Sequence, residues 1–379
     1  MQNGLVSALG IPDAVFARAQ RVAGDIGRGA AELGGALDID ADEIVTGRAG
    51  LLGLAPAGRV SAGGSTRLLS TRDGWCALTL SRADDVETVP ALLELARQPT
   101  DPWAALAAAA ADRDAGGFVA RARLLDLPAA VLGEVHPAPT RFVVSGRRAP
   151  RKLSGLLVAD LSSMWAGPLC GHLLAAAGAT VVKVEGHGRP DGTRAGDPRF
   201  FDWMNSSKLS YAIDFRDDDL RRLLEAADVV IEGSRPAALT RRGLGSGQVR
   251  GRPGRVWLRI TGYGTSGERA DRVAFGDDAA VAGGLVGPGV VFIGDAIADP
   301  LTGLAATKAV LDALGRGGGE TIEIALAEVA ADYATLPLGV GSKSPDTVRV
   351  PTPPRAQAAR LGADNRRVRE LIESRLATC

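Results

Sequence analysis

Leu156-Leu-Val-Ala-Asp-Leu161, then Ser162-Ser-Met-Trp-Ala-Gly-Pro168, then Leu169–Ala177, Gly178 and Thr180-Val-Val-Lys-Val-Glu185 form the stretch whose reading decides the fold. Two short runs rich in Val and Leu flank a small-residue segment long enough for about two to three helical turns. That is the pattern of a parallel βαβ crossover, in which a strand buried on both faces feeds a helix that packs back on the sheet. The alternation continues to residue 264, so residues 153–264 read as one nucleotide-type α/β unit. The expected fold is α/β: a parallel, Rossmann-like sheet with a second, smaller α+β domain.

Outside that unit the punctuation is clear. Helices are expected near Pro12–Leu33 and Ala41–Leu52, separated by Gly34-Gly35 and the acidic stretch Asp38–Glu43. Asp73-Gly74 between Thr66–Thr71 and Trp75–Leu80 signals a hairpin, because both residues tolerate positive φ. Helical patterns follow at Val86–Ala96, Trp103–Asp112 and Gly117–Leu125, broken by Pro99 and Pro102. Pro137, Pro139 and the basic Arg147–Lys152 segment read as a linker, which sets a boundary near residue 150 and two domains, 1–150 and 151–379. Gly315-Arg-Gly-Gly-Gly-Glu320 follows a helix and precedes a strand. Phosphate loops run the other way, so it reads as a helix C-cap plus turn. No G-x-G-x-x-G follows the first strand and no Walker sequence is present, so NAD and ATP have no motif behind them.

Composition narrows the class. Lys+Arg and Asp+Glu are both 44 in a chain of 379 residues, so nothing suggests a nucleic-acid or membrane surface. Cys76, Cys170 and Cys379 are far apart and odd in number, which argues against a disulfide framework or a metal site and for a reducing compartment. The longest apolar stretch lies near Ala104–Ala111, far short of a membrane span. Met1-Gln-Asn-Gly-Leu5 lacks a basic region with an apolar core behind it, so no signal peptide is expected and cytoplasm is the expected compartment.

Several segments, taken in order and spacing, resemble the class III CoA-transferase family, the CaiB/BaiF-like group. They are Asp160–Pro168, Gly178–Glu185, Asn205-Ser-Ser-Lys208 with Ala212–Arg216, Ala227–Glu232, Arg235-Pro236, Thr261–Gly264 and Ala298-Asp299-Pro300-Leu301-Thr302-Gly303. Asp73-Gly-Trp75 and Leu127-Pro-Ala129 are similar to the family's smaller domain, which in the usual order follows the catalytic Asp and here precedes it. Pro351–Arg355 and Leu361–Asn365 resemble the family's C-terminus.

The resemblance implies transfer of CoA from an acyl-CoA to a small carboxylic acid. It implies no tightly bound cofactor, CoA as substrate and a homodimer, interlocked in relatives. It makes Asp299, in the pattern Asp-x-x-Thr-Gly, the nucleophile, ahead of the rival Asp295. On residues alone, Asp followed by Pro at a helix start is also an ordinary N-cap with Pro at N1. CoA contacts are carried over to Met164, Trp165 and Ala166, to Arg216, to Ser234 and Arg235, and to Arg241. There are departures. Glu232-Gly233-Ser234 lacks the Phe that many relatives place there, Trp165 is bulky enough to narrow the pocket, and His187 stands in a loop where several relatives carry Arg or Pro. His136 and His172 read as structural. Two alternatives stay open: an α-methylacyl-CoA racemase, disfavoured because the family's racemases carry a His in a Gly-His-Asp motif upstream of the Asp and the corresponding Phe275-Gly276-Asp277 has Gly in its place, and a CoA-binding partner protein without turnover.

Overall fold

Nearly every strand expected from the βαβ pattern pairs in one sheet. The computed structural model describes residues 9–215, 218–233, 235, 237–339 and 348–377. A three-stranded antiparallel sheet comprises β1 (Thr66–Ser70), β2 (Trp75–Thr79) and β3 (Ala129–Val131), in that order. A seven-stranded sheet comprises β4 (Arg141–Val144), β5 (Leu157–Asp160), β6 (Thr180–Gly186), β7 (Leu209–Ile213), β8 (Val229–Glu232), β9 (Val256–Thr261) and β10 (Glu320–Ala325). The protein is thus α/β, with a mostly parallel large sheet and a small antiparallel one.

The large sheet has the order β4-β10-β9-β8-β5-β6-β7, and only β4 runs antiparallel to its neighbour. From β5 the chain winds outward through β6 to β7, then returns to β8 and winds the other way through β9 to β10. The reversal lies between β5 and β8. Their connections leave in opposite directions there, so a crevice opens beyond the C-terminal ends of these two strands. β5 and β8 are buried along their whole length, as central parallel strands covered by helices must be.

Edge strand β7 is finished by side chains. Ser210 N donates to Asp364 Oδ2 at 2.8 Å and Ala212 N to Asn365 Oδ1 at 2.9 Å, while Asn365 Nδ2 donates to Ala212 O at 2.8 Å. The Leu361–Asn365 motif therefore stands in for a further strand and satisfies backbone groups that would otherwise template pairing with another chain.

Two segments ahead of residue 150 pack with the large sheet. The Asp13–Glu32 helix turns Val15, Ala19, Ala23, Ile26 and Ala30 into the main core, where the Ala298–Gly315 helix contributes Leu304, Val310 and Leu311. Strand β4 pairs with β10. The smaller unit's own core is built from β1–β3 and the short helices between Ala83 and Leu124, around Leu78, Leu92, Leu106 and Phe118. Packing does not follow the boundary expected near residue 150, because the apolar stripe of the first helix fits the large unit's helical layer. A fragment of residues 151–379 should consequently be insoluble or lack a cooperative unfolding transition. Soluble expression with near-UV circular dichroism checks this, and a well-folded fragment would contradict it.

The glycine run after the Ala298–Gly315 helix closes it as the sequence suggests. Gly317 N donates to Leu314 O and Gly318 N to Ala313 O, with Gly317, Gly318 and Gly319 all at positive φ. A Cβ on Gly319 would stand 2.6 Å from the Gly146 carbonyl oxygen, so glycine is required there for the chain to enter β10 beside residue 146.

Candidate active site

The crevice wall is set by a buried polar frame. Lys208 Nζ donates to Asp160 Oδ2 and to Pro168 O, each at 2.8 Å, and both side chains of the pair are fully buried. Asp160 also accepts from Ser162 N at 3.1 Å and from the Ser162 hydroxyl. Lys183 Nζ donates to Ser162 O and Asp191 Oδ2 at 2.6 Å, and Asp191 accepts from Met164 N at 3.2 Å. Burial alone would raise the Asp160 carboxyl, but the Lys208 and Lys183 charges hold it below the usual carboxylate range. The residues that made Asp160–Pro168, Lys183-Val-Glu185 and Asn205–Lys208 recognisable are thus those that fix the turn after β5.

That turn carries Met164 at φ 73°, a left-handed conformation uncommon outside glycine. Met164 is exposed, whereas Trp165 and Ala166 are buried. The Trp165 indole packs edge-on against Phe200 with centroids 5.4 Å apart. Its bulk therefore sits in the core, which corrects the expectation that it narrows the pocket. Across the crevice, Gly233 approaches so closely that a Cβ there would be 3.1 Å from Ser162 Cβ. The turn after β5 and the segment after β8 accordingly face each other.

Of the other residues singled out for CoA, Arg235 is exposed and pairs with Asp126 of the smaller unit, and Arg241 is exposed in the turn after the Ala237–Thr240 helix. Arg216 and Ser234 lie outside the described residues. His172 is partly buried on the Ala166–Ala176 helix, and desolvation followed by the nearby Lys208 charge pushes it down to about 4, so it stays neutral. His136 and His187 are exposed.

Asp299 is not the N-cap of its helix. The Ala298–Gly315 helix begins one residue earlier, Ile297 occupies the cap position, and no side chain caps it. The carboxylate is therefore not engaged in capping its own helix. It is partly accessible and accepts a hydrogen bond from the Gly276 backbone N–H, at the first residue of the Gly276–Ala282 helix. A Cβ on Gly276 would lie 2.5 Å from Asp299 Oδ2 and against the Ala296 carbonyl oxygen. Only glycine brings an amide this close to the carboxylate. One turn further along, Gly303 lets the helix cross directly over Leu169 and the Ala166 carbonyl. This places Asp299 one helical turn from the turn after β5.

Four aspartates gather here. Asp277 accepts from Ala296 N at 3.0 Å and from the Ser61 hydroxyl, and Asp278 accepts from Thr79 Oγ1 at 3.1 Å and Phe275 N at 2.9 Å. Burial and the Asp277 charge push Asp299 up to about 7 against the opposing pull of Arg48. Burial and Asp295 push Asp277 up to about 6, and burial pushes Asp278 up to about 7. Asp295, the rival carboxylate, is almost wholly buried and salt-bridged to Arg48 Nη1 at 2.6 Å.

Arg48 is the residue that sequence reasoning did not single out. It comes from the Ala41–Leu52 helix, which Asp40 caps through the Asp42 and Glu43 amides, and its guanidinium lies 5.7 Å from the Trp165 ring centre and 5.3 Å from that of Phe200. Its signal was a lone cation in a helix otherwise apolar or small after its first turn, Ile44-Val-Thr-Gly-Arg-Ala-Gly-Leu-Leu52. Gly47 lets that helix come within reach, since a Cβ there would be 2.6 Å from Trp203.

A family model described as CoA-transferase family III matches residues 153–357. Succinyl-CoA–D-citramalate CoA-transferase of Chloroflexus aurantiacus is 30% identical over 210 residues, covering 49% of this chain and 52% of that protein. Succinate–glutarate CoA-transferase of Agrobacterium fabrum is 32% identical over 207 residues, covering 47% of this chain and 51% of that one. The crystal structure of a CaiB/BaiF family protein from Brucella suis aligns with a TM-score of 0.44 at 31% identity, over 49% of this chain and 55% of that chain. This chain spans about half the length of the curated relatives it matches. Among the described residues, no helix is long and apolar enough to cross a membrane.

Proposed function

The chain belongs to CoA-transferase family III, and from that premise we propose that it moves CoA from an acyl-CoA to a small carboxylic acid through a covalent intermediate on Asp299. The observation that supports this most directly is the Asp299 carboxylate itself. It is partly accessible, uncommitted to its own helix and met by the Gly276 amide one turn from the crevice.

The chemistry needs little else. Asp299 attacks the thioester carbonyl, a C–O bond forms, the C–S bond breaks and CoA leaves as thiolate. The thiolate then attacks the Asp299 carbonyl of the mixed anhydride, forming aspartyl-CoA thioester and expelling the donor acid as carboxylate. The acceptor acid runs these steps in reverse. No proton changes hands, so a site without an available histidine base suffices. Oxyanions formed on the way are met by backbone amides, which act best where water is excluded.

In this reading CoA lies along the crevice between the turn after β5 and the segment after β8. Met164, Trp165 and Ala166 offer backbone groups, while Arg216, Ser234, Arg235 and Arg241 serve the phosphates. Trp165 and Ala166 can take part through backbone alone, because their side chains are buried. The names of the two relatives, each pairing succinate or succinyl-CoA with another acid, support a short acyl group. A homodimer completes the proposal, on the family's pattern. Intact-protein mass spectrometry after incubation with a panel of acyl-CoAs should show the mass of one CoA added to the chain, and hydroxylamine should place it on Asp299. No adduct with any donor, or a label on Asp295, would defeat the reading.

The same site disfavours racemisation. A histidine at position 276 has no room, since even a Cβ meets Asp299 and the Ala296 carbonyl. Two-base exchange at an α-carbon therefore lacks its second base at that position.

A further inference from the structure

We propose that Arg48 is the residue that receives the carboxylate of the acceptor acid, and that it does so once Asp299 has been converted to its CoA thioester. The inference rests on the transferase reading and assigns to that site a residue from the N-terminal segment, outside the part that matches the family model.

With Asp299 ionised, Arg48 is the cation whose field reaches Asp277, Asp295 and Asp299 alike, and it lowers each of them. A second carboxylate approaching such a cluster is repelled. Formation of aspartyl-CoA changes the count, because a thioester is neutral and one negative charge has gone. Arg48 then has one negative charge fewer in its field, its ion pair with Asp295 being kept, and an incoming carboxylate restores the charge that Asp299 gave up.

Geometry supports the same role. Arg48 is held without being used up. Nη1 donates to Asp295 Oδ1 at 2.6 Å, and no further hydrogen bond from its guanidinium is made among the described residues, out of the five N–H donors it carries. Its side chain remains 24% exposed while that of Asp295 is 1% exposed. The guanidinium lies over the rings of both Trp165 and Phe200, 5.7 and 5.3 Å from their centres, which confines it. A planar, pre-oriented fork with free N–H groups is suited to a carboxylate in a way that a flexible ammonium is not. Beside it, the buried Trp165 Nε1 has no acceptor among the described residues, an unpartnered donor next to the same guanidinium.

Position completes the case. Arg48 touches both halves of the site, the turn after β5 through Trp165 and the nucleophile's surroundings through Asp295. An acid must arrive between these two to attack a thioester carried by Asp299. Asp295 then serves as the positioning residue that keeps the guanidinium aimed, which accounts for a buried carboxylate here that need not react.

The test uses the full chain with Asp299→Asn, whose neutral amide imitates the charge state of the thioester and cannot react. In the presence of CoA, calorimetric titration with acetate, propionate and malonate should detect binding to this variant. Adding Arg48→Gln should weaken binding of the best of them by about tenfold or more, the value of a charge-assisted hydrogen bond. Arg48→Lys should recover only part of the loss, and affinity for CoA itself should stay within about twofold, because Arg48 meets the turn after β5 only through the buried Trp165 ring. Equal acid affinity with and without Arg48, or no acid binding to Asp299→Asn at all, would overturn the assignment. Absence of a CoA adduct on the unaltered chain would instead count against the transferase reading and leave the acid-binding result to stand by itself.

Discussion

Asp299→Asn should lower turnover by at least about four orders of magnitude and at the same time make the protein more stable at neutral pH. The first effect follows from chemistry, since an amide nitrogen or oxygen cannot form the anhydride from which the thioester is made. The second follows from electrostatics. Burial and the neighbouring Asp277 push the Asp299 carboxyl up to about 7, above its ordinary value of 3.8. Between those values the native state keeps a proton that the unfolded chain has released, so stability falls as pH rises through the window. A neutral Asn removes that slope. The gain should be on the order of 1–3 kcal/mol at pH 8 and close to zero below pH 4, read from urea unfolding. A residue that merely capped a helix would behave the other way, with its loss costing about 0.5–2 kcal/mol. Turnover near that of the unaltered protein, or an unchanged stability at pH 8, would remove Asp299 from its role. The raised carboxyl also sets the pH dependence of activity: attack needs the ionised form, so the rate should climb through about pH 7.

What could be read ahead of the structure, and what could not, divides along physical lines. Strands β5 and β6 announce themselves because a parallel strand buried on both faces is a short apolar run, and the turn after β5 because Ser162–Gly167 interrupts that run. The hairpin at Asp73-Gly74 is local and was equally legible. The membership of the first two helices was not. An amphipathic stripe such as Val15, Ala19, Ala23 and Ile26 states that a face is buried and is silent about which surface buries it. The linker reading of residues 137–152 failed for a related reason: β4, at Arg141–Val144, is an exposed edge strand with no apolar alternation. Asp299 stands out in the sequence through the Asp-x-x-Thr-Gly pattern. Arg48 acts across 247 positions of sequence from Asp295, and no local rule reaches that far. Asp160, Lys183 and Lys208 stand in the family-like segments, but their partners are not legible there: Asp160 pairs with Lys208, and Lys183 with Asp191.

That frame supplies the second large effect. Replacing Lys208 by Met should destabilise the protein by about 3–5 kcal/mol, because the change removes one partner of a fully buried pair and leaves the Asp160 charge uncompensated. The pH dependence should identify the cause. In the unaltered chain the Lys208 and Lys183 charges overcome burial and keep Asp160 below 3.8, so its contribution is present at neutral pH and is lost only as pH falls through its depressed value. Without Lys208, burial dominates and Asp160 rises. The native state then prefers the protonated acid, and the deficit should be largest at pH 8 and shrink toward pH 4. Replacing both residues by apolar ones, Asp160→Leu with Lys208→Met, should recover much of the stability, as pairs exchanged whole for packed hydrocarbon often do. It should not recover binding of CoA. Asp160 holds Ser162, and Lys208 holds the Pro168 carbonyl, so the turn that carries Met164 at positive φ loses both anchors whichever way the pair is removed. Urea unfolding at pH 4 and pH 8, beside calorimetric titration with CoA, separates the two consequences. A double variant that is stable yet binds CoA as tightly as the unaltered protein would show that the frame supports the sheet and has no part in shaping the crevice.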